Sequence, residues 1–365
     1  MPQKMTGKQA ILEMLKAEGI KHIFGNPGTS EAPLIDMLGD YPELRYFLTL
    51  QESVAMGMGE SYARATEKPS FVSLHVDSGL ANGIALMLDA LNTGTPMVIT
   101  SANYDARKIN ENKTDLAELV RPVTKWSVEL NLPDQIPSVM RRAFHEANSH
   151  PKGPVYVGFT ANALEAEAEM NIEPSSKMHD SYRPDSRGIE EAVKLIVEAK
   201  RPMMMVGDRV SDDHANDLAV ELAELMGFPV YQSRGAEVSF PTTHPQFFGN
   251  HTLRVTSNRQ ALEDVDLLLA IGMDAMEELF YWGDVILGEQ TKLIHIDPIP
   301  GRAGRSEPTD VGIVSHCGLA IEELLGSIKS LLTSDLENDI EVRRSGVVAA
   351  AAEKRKAFDD LVAAK

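Results

Sequence analysis

The stretch LTLQESVAMGMGESYARAT, residues 48–66, passes from an apolar strand-like run into a helix of small residues. Glu52 stands where the pattern changes, and we expect it to pack among Leu50, Val54 and Met56. A carboxyl group among apolar side chains loses favourable hydration. Such a group can instead hold a proton at neutral pH and hydrogen-bond a ring nitrogen. The helix macrodipole also favours an acid in a first helical turn. Glu52 alone therefore supports a functional role and a structural role equally.

The change from strand to helix recurs along the first half of the chain. Helical spacing of apolar residues marks TGKQAILEMLKAEGI (6–20), with Thr6 as the predicted cap and Gly19 as the predicted end. Short β-rich runs without polar alternation are KHIFG (21–25), RYFLTL (45–50), PSFVSLHV (69–76) and TPMVITSA (95–102). Such runs are typical of strands buried on both faces. The alternation predicts a parallel sheet with helices on both sides.

A chain of 365 residues has the length of about two domains. The pattern breaks at residues 165–187, which are acidic and then rich in Pro, Ser and Asp, so we predict a linker there. Further buried strands are predicted at PMMMVGD (202–208), VDLLLAIG (265–272) and TKLIHIDP (291–298). The fold prediction is an α/β chain with two doubly wound, mainly parallel-sheet domains. Their predicted bounds are 1–164 and 188–335, followed by a C-terminal helical tail at 336–365.

Bulk properties exclude several classes of function. A formal net charge of −19 argues against a nucleic-acid or anionic-membrane partner, because phosphate groups would be repelled. The single cysteine, Cys317, excludes an internal disulfide framework. No apolar run approaches the ~20 residues of a membrane span, and the first residues lack a signal-peptide core. We therefore predict a cytoplasmic protein.

The segment FGNPGTSE (24–31) places Asn26, Pro27 and Gly28 in a tight turn between a strand and a helix. Such a turn at the carboxyl end of a parallel sheet can bring the backbone close to a ligand. It lacks both the GxGxxG pattern and the lysine of a phosphate-binding loop. As a single motif it favours a structural turn.

His75 follows a predicted strand and precedes DSGLANG (77–83), a turn leading into a helix. A histidine at this position is well placed for acid–base chemistry, although a hydrogen-bonded core histidine is the commoner case. Asp77 and Ser78 are alternative helix caps. No cluster of metal ligands and no GxSxG motif are present. The glycine in MMMVGDRVSDD (203–213) gives only a weak indication of a nucleotide site.

Several segments together resemble the N-terminal pyrimidine-binding domain of thiamine-diphosphate enzymes. They are GNPGTSE (25–31), QESVAMGMGESYARAT (51–66), LHVDSGLANGIALMLDALNTGTPMVIT (74–100) and GPVYV (153–157). The pattern is most similar to benzoylformate decarboxylase and then to acetolactate synthase. RPMMMVGDRV (201–210), LAELMGFPV (222–230), HPQFFGN (244–250), DLLLAIG (266–272) and LIHIDP (293–298) resemble the Rossmann-like central domain of that family.

The resemblance implies roles for individual residues. Glu52 would hydrogen-bond N1′ of the cofactor's aminopyrimidine ring, and His75 would relay protons, so both are predicted catalytic residues. Thiamine diphosphate would carry the difficult chemistry. The predicted cofactor-binding residues are Asn26, Pro27, Gly28, Glu52 and Asn82, and the predicted substrate-binding residues are Thr29 and His75.

Two departures from the family pattern shape the functional hypothesis. The domain that anchors the diphosphate through Mg²⁺, with its Gly-Asp-Gly motif, is not found in the sequence, so no metal ligand is predicted here. We therefore expect the larger subunit of a two-component lyase or carboligase. The diphosphate and Mg²⁺ would be held by a separate partner chain, around a homodimeric core of this chain.

The second departure concerns a further active-site histidine of benzoylformate decarboxylase. The matching stretch GMDAMEELFYWGD (272–284) has none, and Tyr281 is the candidate substitute. The choice among 2-oxo acids, acyloins and 2-hydroxyacyl compounds therefore stays open. The alternatives are a non-catalytic scaffold subunit and a fragment of a longer enzyme. A flavin in the central domain is a less favoured cofactor, and a nicotinamide dehydrogenase a weaker rival.

Overall fold

The computed structural model describes residues 2–108, 110, 112–233, 235, 237–274, 281–283 and 285–364. The chain forms two compact units, Met1–His179 and Asp180–Lys365. The division after His179 falls within the segment 165–187 that the sequence marks as a linker. Each unit has apolar clusters of its own and is described by itself.

The first unit alternates strands and helices. Its strands are β1 (Gln3–Thr6), β2 (His22–Asn26), β3 (Arg45–Leu48), β4 (Ser70–Leu74), β5 (Met97–Asn103), β6 (Trp126–Leu130), β7 (Pro154–Thr160) and β8 (Glu167–Met170). Its helices are α1 (Gly7–Ala17), α2 (Ala32–Met37), α3 (Glu52–Thr66), α4 (Ser78–Thr93), α5 (Leu116–Val120), α6 (Ile136–Asn148) and α7 (Ala161–Glu165). Short 3₁₀ turns lie at Leu38–Asp40, Arg121–Val123 and Pro133–Gln135.

Six of these strands form a parallel sheet in the order β3-β2-β4-β5-β7-β6. The strands β4, β5 and β7 are buried along their whole length, as their apolar runs predict. The strand order reverses between β2 and β4, because the chain runs from β2 outward to β3 and then returns to β4. Open α/β sheets bind ligands beyond the carboxyl ends of the strands at such a point. The fold therefore directs attention to the ends of β2 and β4.

The first helix shows how local sequence sets the element bounds. The Thr6 hydroxyl accepts a hydrogen bond from the Gln9 backbone N–H at 3.3 Å, which confirms the predicted cap. Gly19 lies just beyond the helix with φ of 74°, a conformation that favours glycine. The antiparallel pair β1–β8 was not predicted, and β8 lies at the start of the predicted linker.

The second unit contains the remaining elements. Its strands are β9 (Pro202–Val206), β10 (Val230–Gln232), β11 (Phe247–Asn250), β12 (Leu267–Ile271), β13 (Lys292–Asp297) and β14 (Val311–Val314). Its helices are α8 (Ser186–Glu198), α9 (Asp208–Asp212), α10 (Asn216–Met226), α11 (Thr256–Glu263), α12 (Cys317–Leu331) and α13 (Ser334–Ala363).

The second sheet is also parallel and has the order β11-β10-β9-β12-β13-β14. In chain order within the unit this is 3-2-1-4-5-6, the order of dinucleotide-binding α/β domains. Two mainly parallel six-stranded sheets with flanking helices confirm the predicted fold class. No helix among the described residues is long and apolar enough to cross a membrane.

Candidate functional site

The carboxyl ends of β2 and β4 bring two predicted segments together. Asn26, the last residue of β2, is paired in register with Leu74, the last residue of β4. The turn after Asn26 and the imidazole of His75 consequently lie side by side. A methyl group on Gly28 would lie 2.0 Å from His75 Nδ1, so only glycine fits against the ring.

Glu52 begins α3 at the same edge of the sheet, and its neighbour Gln51 caps the helix by accepting from the Ser53 N–H at 2.8 Å. The Glu52 residue is 7% exposed. Its Oε2 accepts a hydrogen bond of 3.1 Å from Asn82 Nδ2 on α4. Two predicted cofactor-binding residues, 30 positions apart in the chain, therefore meet.

The expected apolar surroundings of Glu52 are only partly present. Met56 is buried, whereas Leu50 is 97% exposed and Val54 is 50% exposed, so the prediction was wrong for these two residues. Leu50 precedes the helix, and Val54 lies on the face of α3 turned away from the sheet. Spacing along the sequence does not distinguish these faces, because the helix of small residues has a weak amphipathic pattern.

Gly79 lies between the two predicted catalytic residues. A methyl group there would lie 2.7 Å from His75 Cβ and 2.9 Å from Glu52 Oε1. Both distances are shorter than ordinary contacts between unbonded atoms. The glycine at the start of α4 thus lets Glu52 and His75 share one small region.

Glu31 is a buried acid that the sequence analysis missed, although it closes the quoted segment FGNPGTSE. It is 2% exposed and occupies the N-cap position of α2, where its side chain makes no capping bond. Its Oε2 accepts from the Gly28 N–H at 3.0 Å and lies 3.0 Å from His75 Nδ1. Its Oε1 accepts from the Ala102 N–H at 2.8 Å. The signal available in sequence was a carboxylate three residues after the close-approach glycine.

Asp77 occupies the N-cap position of α4 but makes no capping bond with its side chain, so its interpretation as a helix cap was wrong. Its backbone φ is 51°, a conformation rarely adopted by non-glycine residues. Its Oδ1 is buried without a hydrogen-bond partner among the described residues. Ser78 is the first residue of α4.

Three further predicted residues are placed by the backbone alone. Asn26 ends β2, and Pro27 and Thr29 lie in the turn that follows it. Thr29 is exposed. Their positions at this edge agree with the predicted roles without testing them.

The acids and amide of this edge fit one half of the implied cofactor. Glu52 and Asn82 offer a carboxyl group and an amide, which suit a nitrogen heterocycle with ring and exocyclic hydrogen-bonding groups. Within the described ranges, no group of three or more His, Cys, Asp or Glu side chains could hold a metal ion. The residues that the structure describes thus fit a ring of the pyrimidine type and supply no set of ligands for Mg²⁺.

The corresponding edge of the second unit is closed by an ion-pair network. Arg209 Nε donates to Asp297 Oδ2 at 2.7 Å, and its Nη2 lies 3.6 Å from Asp274 Oδ1. Arg302 also donates to Asp274. Asp297 is fully buried, and that burial raises the pKa of its carboxyl group, an effect that Arg209 opposes.

The glycine of the β9–α9 turn has a packing role at this edge. A methyl group on Gly207 would lie 2.5 Å from Met273 Cβ and 2.6 Å from the Gly272 carbonyl oxygen. The turn is therefore tightly covered by the end of β12. A flavin in this unit stays a less favoured prediction.

The stretch 272–284 contains Tyr281, the candidate to replace the further active-site histidine of benzoylformate decarboxylase. The structure describes only part of this stretch. Residues 275–280 and 284 lie outside the described residues. Tyr281 is 80% exposed. Its suggested role stays a prediction.

Comparisons with known protein families match both units. Residues 5–120 match the family model for the thiamine pyrophosphate enzyme N-terminal TPP binding domain. Residues 189–324 match the model for the thiamine pyrophosphate enzyme central domain. Thiamine pyrophosphate is the same compound as thiamine diphosphate. Both matched segments carry the same family name.

Individual relatives agree with these matches. Benzoylformate decarboxylase of Pseudomonas aeruginosa is 29% identical over 333 residues, which are 89% of this chain and 62% of that enzyme. Acetolactate synthase of Mycobacterium bovis is 30% identical over 334 residues, which are 90% of this chain and 54% of that enzyme. Among solved structures, the thiamine diphosphate-dependent 4-hydroxybenzoylformate decarboxylase of Rhodococcus jostii RHA1 gives a TM-score of 0.80 at 28% identity. The match covers 89% of this chain and 62% of the Rhodococcus jostii RHA1 chain. The chain thus spans 54% to 62% of the length of these relatives.

Proposed function

The chain belongs to the thiamine pyrophosphate enzyme family, and from this premise we propose that it is the larger subunit of a two-component lyase or carboligase. It would supply the pyrimidine-binding half of the active site. The diphosphate and its Mg²⁺ would be held by a separate chain. A cytoplasmic location and a homodimeric core of this chain are parts of the same proposal.

The observation that carries the proposal is the buried Glu52, which accepts a hydrogen bond from the exposed Asn82 and lies next to His75. Glu52 would hold a proton between its free carboxyl oxygen and a nitrogen of the pyrimidine ring, and Asn82 would keep that carboxyl group oriented. His75 would hold or move a proton at an oxygen of the substrate. The cofactor, when bound, supplies the stabilisation of negative charge at the reacting carbon.

Exposed apolar side chains support a separate partner for the other half of the site. Large apolar side chains on both sides of Glu52 in the sequence are exposed: Leu48 at 70%, Leu50 at 97% and Val54 at 50%. Apolar residues grouped on a surface are typical of an interaction site. A partner that covers them would also exclude water from Glu52.

The substrate class follows from the chemistry that the cofactor supports. We propose a 2-oxo acid, an acyloin or a 2-hydroxyacyl thioester, since each has a breakable C–C bond next to a carbonyl or hydroxyl carbon. Decarboxylation, carboligation and cleavage make the same demands on Glu52 and His75. The relatives named above are decarboxylases and synthases, which fit this class.

The testing experiment is a turnover assay of this chain co-expressed with a diphosphate-domain chain encoded beside it. The assay contains thiamine diphosphate, Mg²⁺ and a panel of the three substrate classes. Glu52→Gln should lower turnover by about 10²–10⁴-fold, the usual contribution of a proton-transferring group. The matched control is Glu60→Gln, which changes another buried acid of α3 and should retain turnover.

Each outcome bears on a different part of the proposal. Activity that needs both chains and falls in Glu52→Gln supports the split active site. Equal activity in Glu52→Gln and the wild type would overturn the role of Glu52. A complex that binds the cofactor without any turnover would favour a scaffold subunit. An uninterrupted reading frame into a diphosphate domain would replace the two-chain arrangement with one longer enzyme.

A further inference from the structure

Glu31 joins three separate segments of the candidate site. Its carboxylate contacts the turn after β2 through Gly28, the end of β4 through His75, and the end of β5 through Ala102. These contacts span 3, 44 and 71 positions of the chain. A buried acid can remain ionised when several N–H groups donate to it. Both carboxyl oxygens of Glu31 thus accept a hydrogen bond from a backbone N–H group.

The contact between Glu31 and His75 bears on which nitrogen of His75 carries the proton. Each carboxylate oxygen already accepts from a backbone N–H, so the group acts as an acceptor toward both its backbone and its side-chain neighbours. An ionised carboxylate cannot donate, so the 3.0 Å contact with His75 requires a proton on Nδ1. In the neutral imidazole the lone pair then lies on Nε2. The His75 side chain is 33% exposed, so a substrate can reach it.

We propose that Glu31 is a positioning residue that fixes His75 in the tautomer protonated at Nδ1 and so presents Nε2 as the acid–base atom of the site. Its catalytic consequence rests on the proposed function, whereas the tautomer itself does not. Carboxylates that orient a histidine through its second nitrogen have the same effect in other proteins. Glu31 touches neither substrate nor cofactor in this arrangement and acts through His75.

Tyr46 is a titratable neighbour of Glu31. Tyr46 has a buried hydroxyl without a hydrogen-bond partner among the described residues. Burial, together with the charge of Glu31, raises the pKa of Tyr46. The tyrosine therefore stays neutral, and its hydroxyl makes no hydrogen bond to Glu31. The hydrogen-bond partners of the Glu31 carboxyl group are the N–H groups of Gly28 and Ala102 and the ring of His75.

The first test reads the tautomer directly and needs no turnover. The full chain is labelled with ¹⁵N at its histidines, and the His75 signals are assigned by their loss in His75→Asn. In the wild type at neutral pH, Nδ1 should give the signal of a protonated nitrogen and Nε2 that of an unprotonated one. In Glu31→Gln the amide NH₂ can face the ring, so the opposite tautomer should become populated. Glu60→Gln should leave the His75 signals unchanged.

The result that overturns the proposal is a wild-type His75 with its proton on Nε2. That result requires only the wild-type protein, so it decides the matter even where Glu31→Gln does not fold. An unchanged tautomer in a folded Glu31→Gln protein would overturn it equally. Either result leaves the proposed function intact, because Glu52 and the cofactor are not involved in this measurement.

The second test measures turnover in the two-chain enzyme. Glu31→Gln should lower kcat by roughly 10–100-fold, the usual effect of removing a carboxylate that orients a histidine. In a His75→Ala background the same substitution should have little further effect, because the two residues act as one unit. Additive losses would show that Glu31 acts independently of His75 and would contradict the proposal. Glu31→Asp, which keeps a carboxylate, should recover part of the lost turnover.

Discussion

The carboxyl edges of the two parallel sheets differ in how their acidic side chains are balanced. In the first unit, Glu52 is held by the amide of Asn82, and Glu31 is held by backbone N–H groups and His75. In the second unit, Asp297 is paired with Arg209, a permanently charged cation. Both edges lie at the point where the strand order reverses, but the acids of the first are held by an amide, backbone N–H groups and a histidine, whereas Asp297 of the second is held by a guanidinium group.

This difference shows that topology alone does not locate a functional site. The second sheet has the strand order typical of dinucleotide-binding domains. Its reversal point is nevertheless filled by the tightly packed Gly207 and by the Arg209 ion pairs. At the first edge, glycines at 28 and 79 bring the predicted catalytic groups together. Function must be argued from the residues at the edge, as the shared architecture hosts many activities.

The largest expected effect on stability comes from breaking the network of the second unit. Arg209→Met leaves the fully buried Asp297 without its cation, so the free energy of unfolding should fall by about 3–5 kcal/mol. Denaturant unfolding measures the loss, and hydrogen exchange should place it in the second unit. Turnover per folded molecule should not change.

Arg187→Met is the matched control for this substitution. Its partner is Asp185, and the two side chains are 84% and 64% exposed, so the loss should stay below about 0.5 kcal/mol. If Arg209→Met instead kept its stability and lost turnover, the second edge would be a functional site. The contrast between the two edges would then be lost.

A smaller effect is expected at the apolar surface beside the first edge. Val54→Asp places a charge on the exposed face of α3, where we propose that a partner docks. The dissociation constant of the two-chain complex should rise by about 10–100-fold, the range of a moderate to strong interface residue. Isothermal titration with the diphosphate-domain chain measures this change.

Leu361→Asp controls for a general effect of adding charge to an exposed apolar position. Leu361 is 61% exposed on α13 in the second unit, and its substitution should leave the affinity unchanged. Analytical ultracentrifugation of Val54→Asp alone would separate loss of self-association from loss of the partner chain. Unaltered affinity and self-association in Val54→Asp would remove the support for docking at this surface.

Much of this architecture could be predicted because its signals are local. Buried parallel strands such as β9 and β12 are continuous apolar runs, and the Thr6 cap of α1 is formed within four residues. Both sheets therefore followed from sequence patterns. The pairing of β1 with β8 did not, because Gln3 meets Met170 across nearly the whole first unit and neither strand is an apolar run.

The candidate site was predicted through its family motifs and not through its physical surroundings. The structure brings Glu52, His75 and Asn82 to one edge of the first sheet, and their roles stay predictions. Glu31 was missed, because its burial depends on Gly28 and Ala102 meeting through the fold. A sequence gives no measure of such long-range contacts, so a buried acid looks the same as a helix-start acid on the surface.

The smallest expected effect concerns Glu60, a buried acid of the first unit that is not part of the site. Burial and the neighbouring Asp89 raise the pKa of Glu60, while Thr93 donates to it at 3.2 Å and opposes the shift. The folded chain then binds this proton more tightly than the unfolded chain does. The contribution of protonated Glu60 to stability is fully present below the unfolded pKa and is lost as pH rises through the folded pKa.

Glu60→Gln, which stays neutral, should therefore gain stability relative to the wild type as pH rises from about 5 to 8, by about 0.5–1 kcal/mol. Thermal unfolding of both proteins across this range measures the difference. A difference that shrinks with rising pH would show that the fold stabilises Glu60 as a carboxylate, and the direction given for its pKa shift would then be wrong.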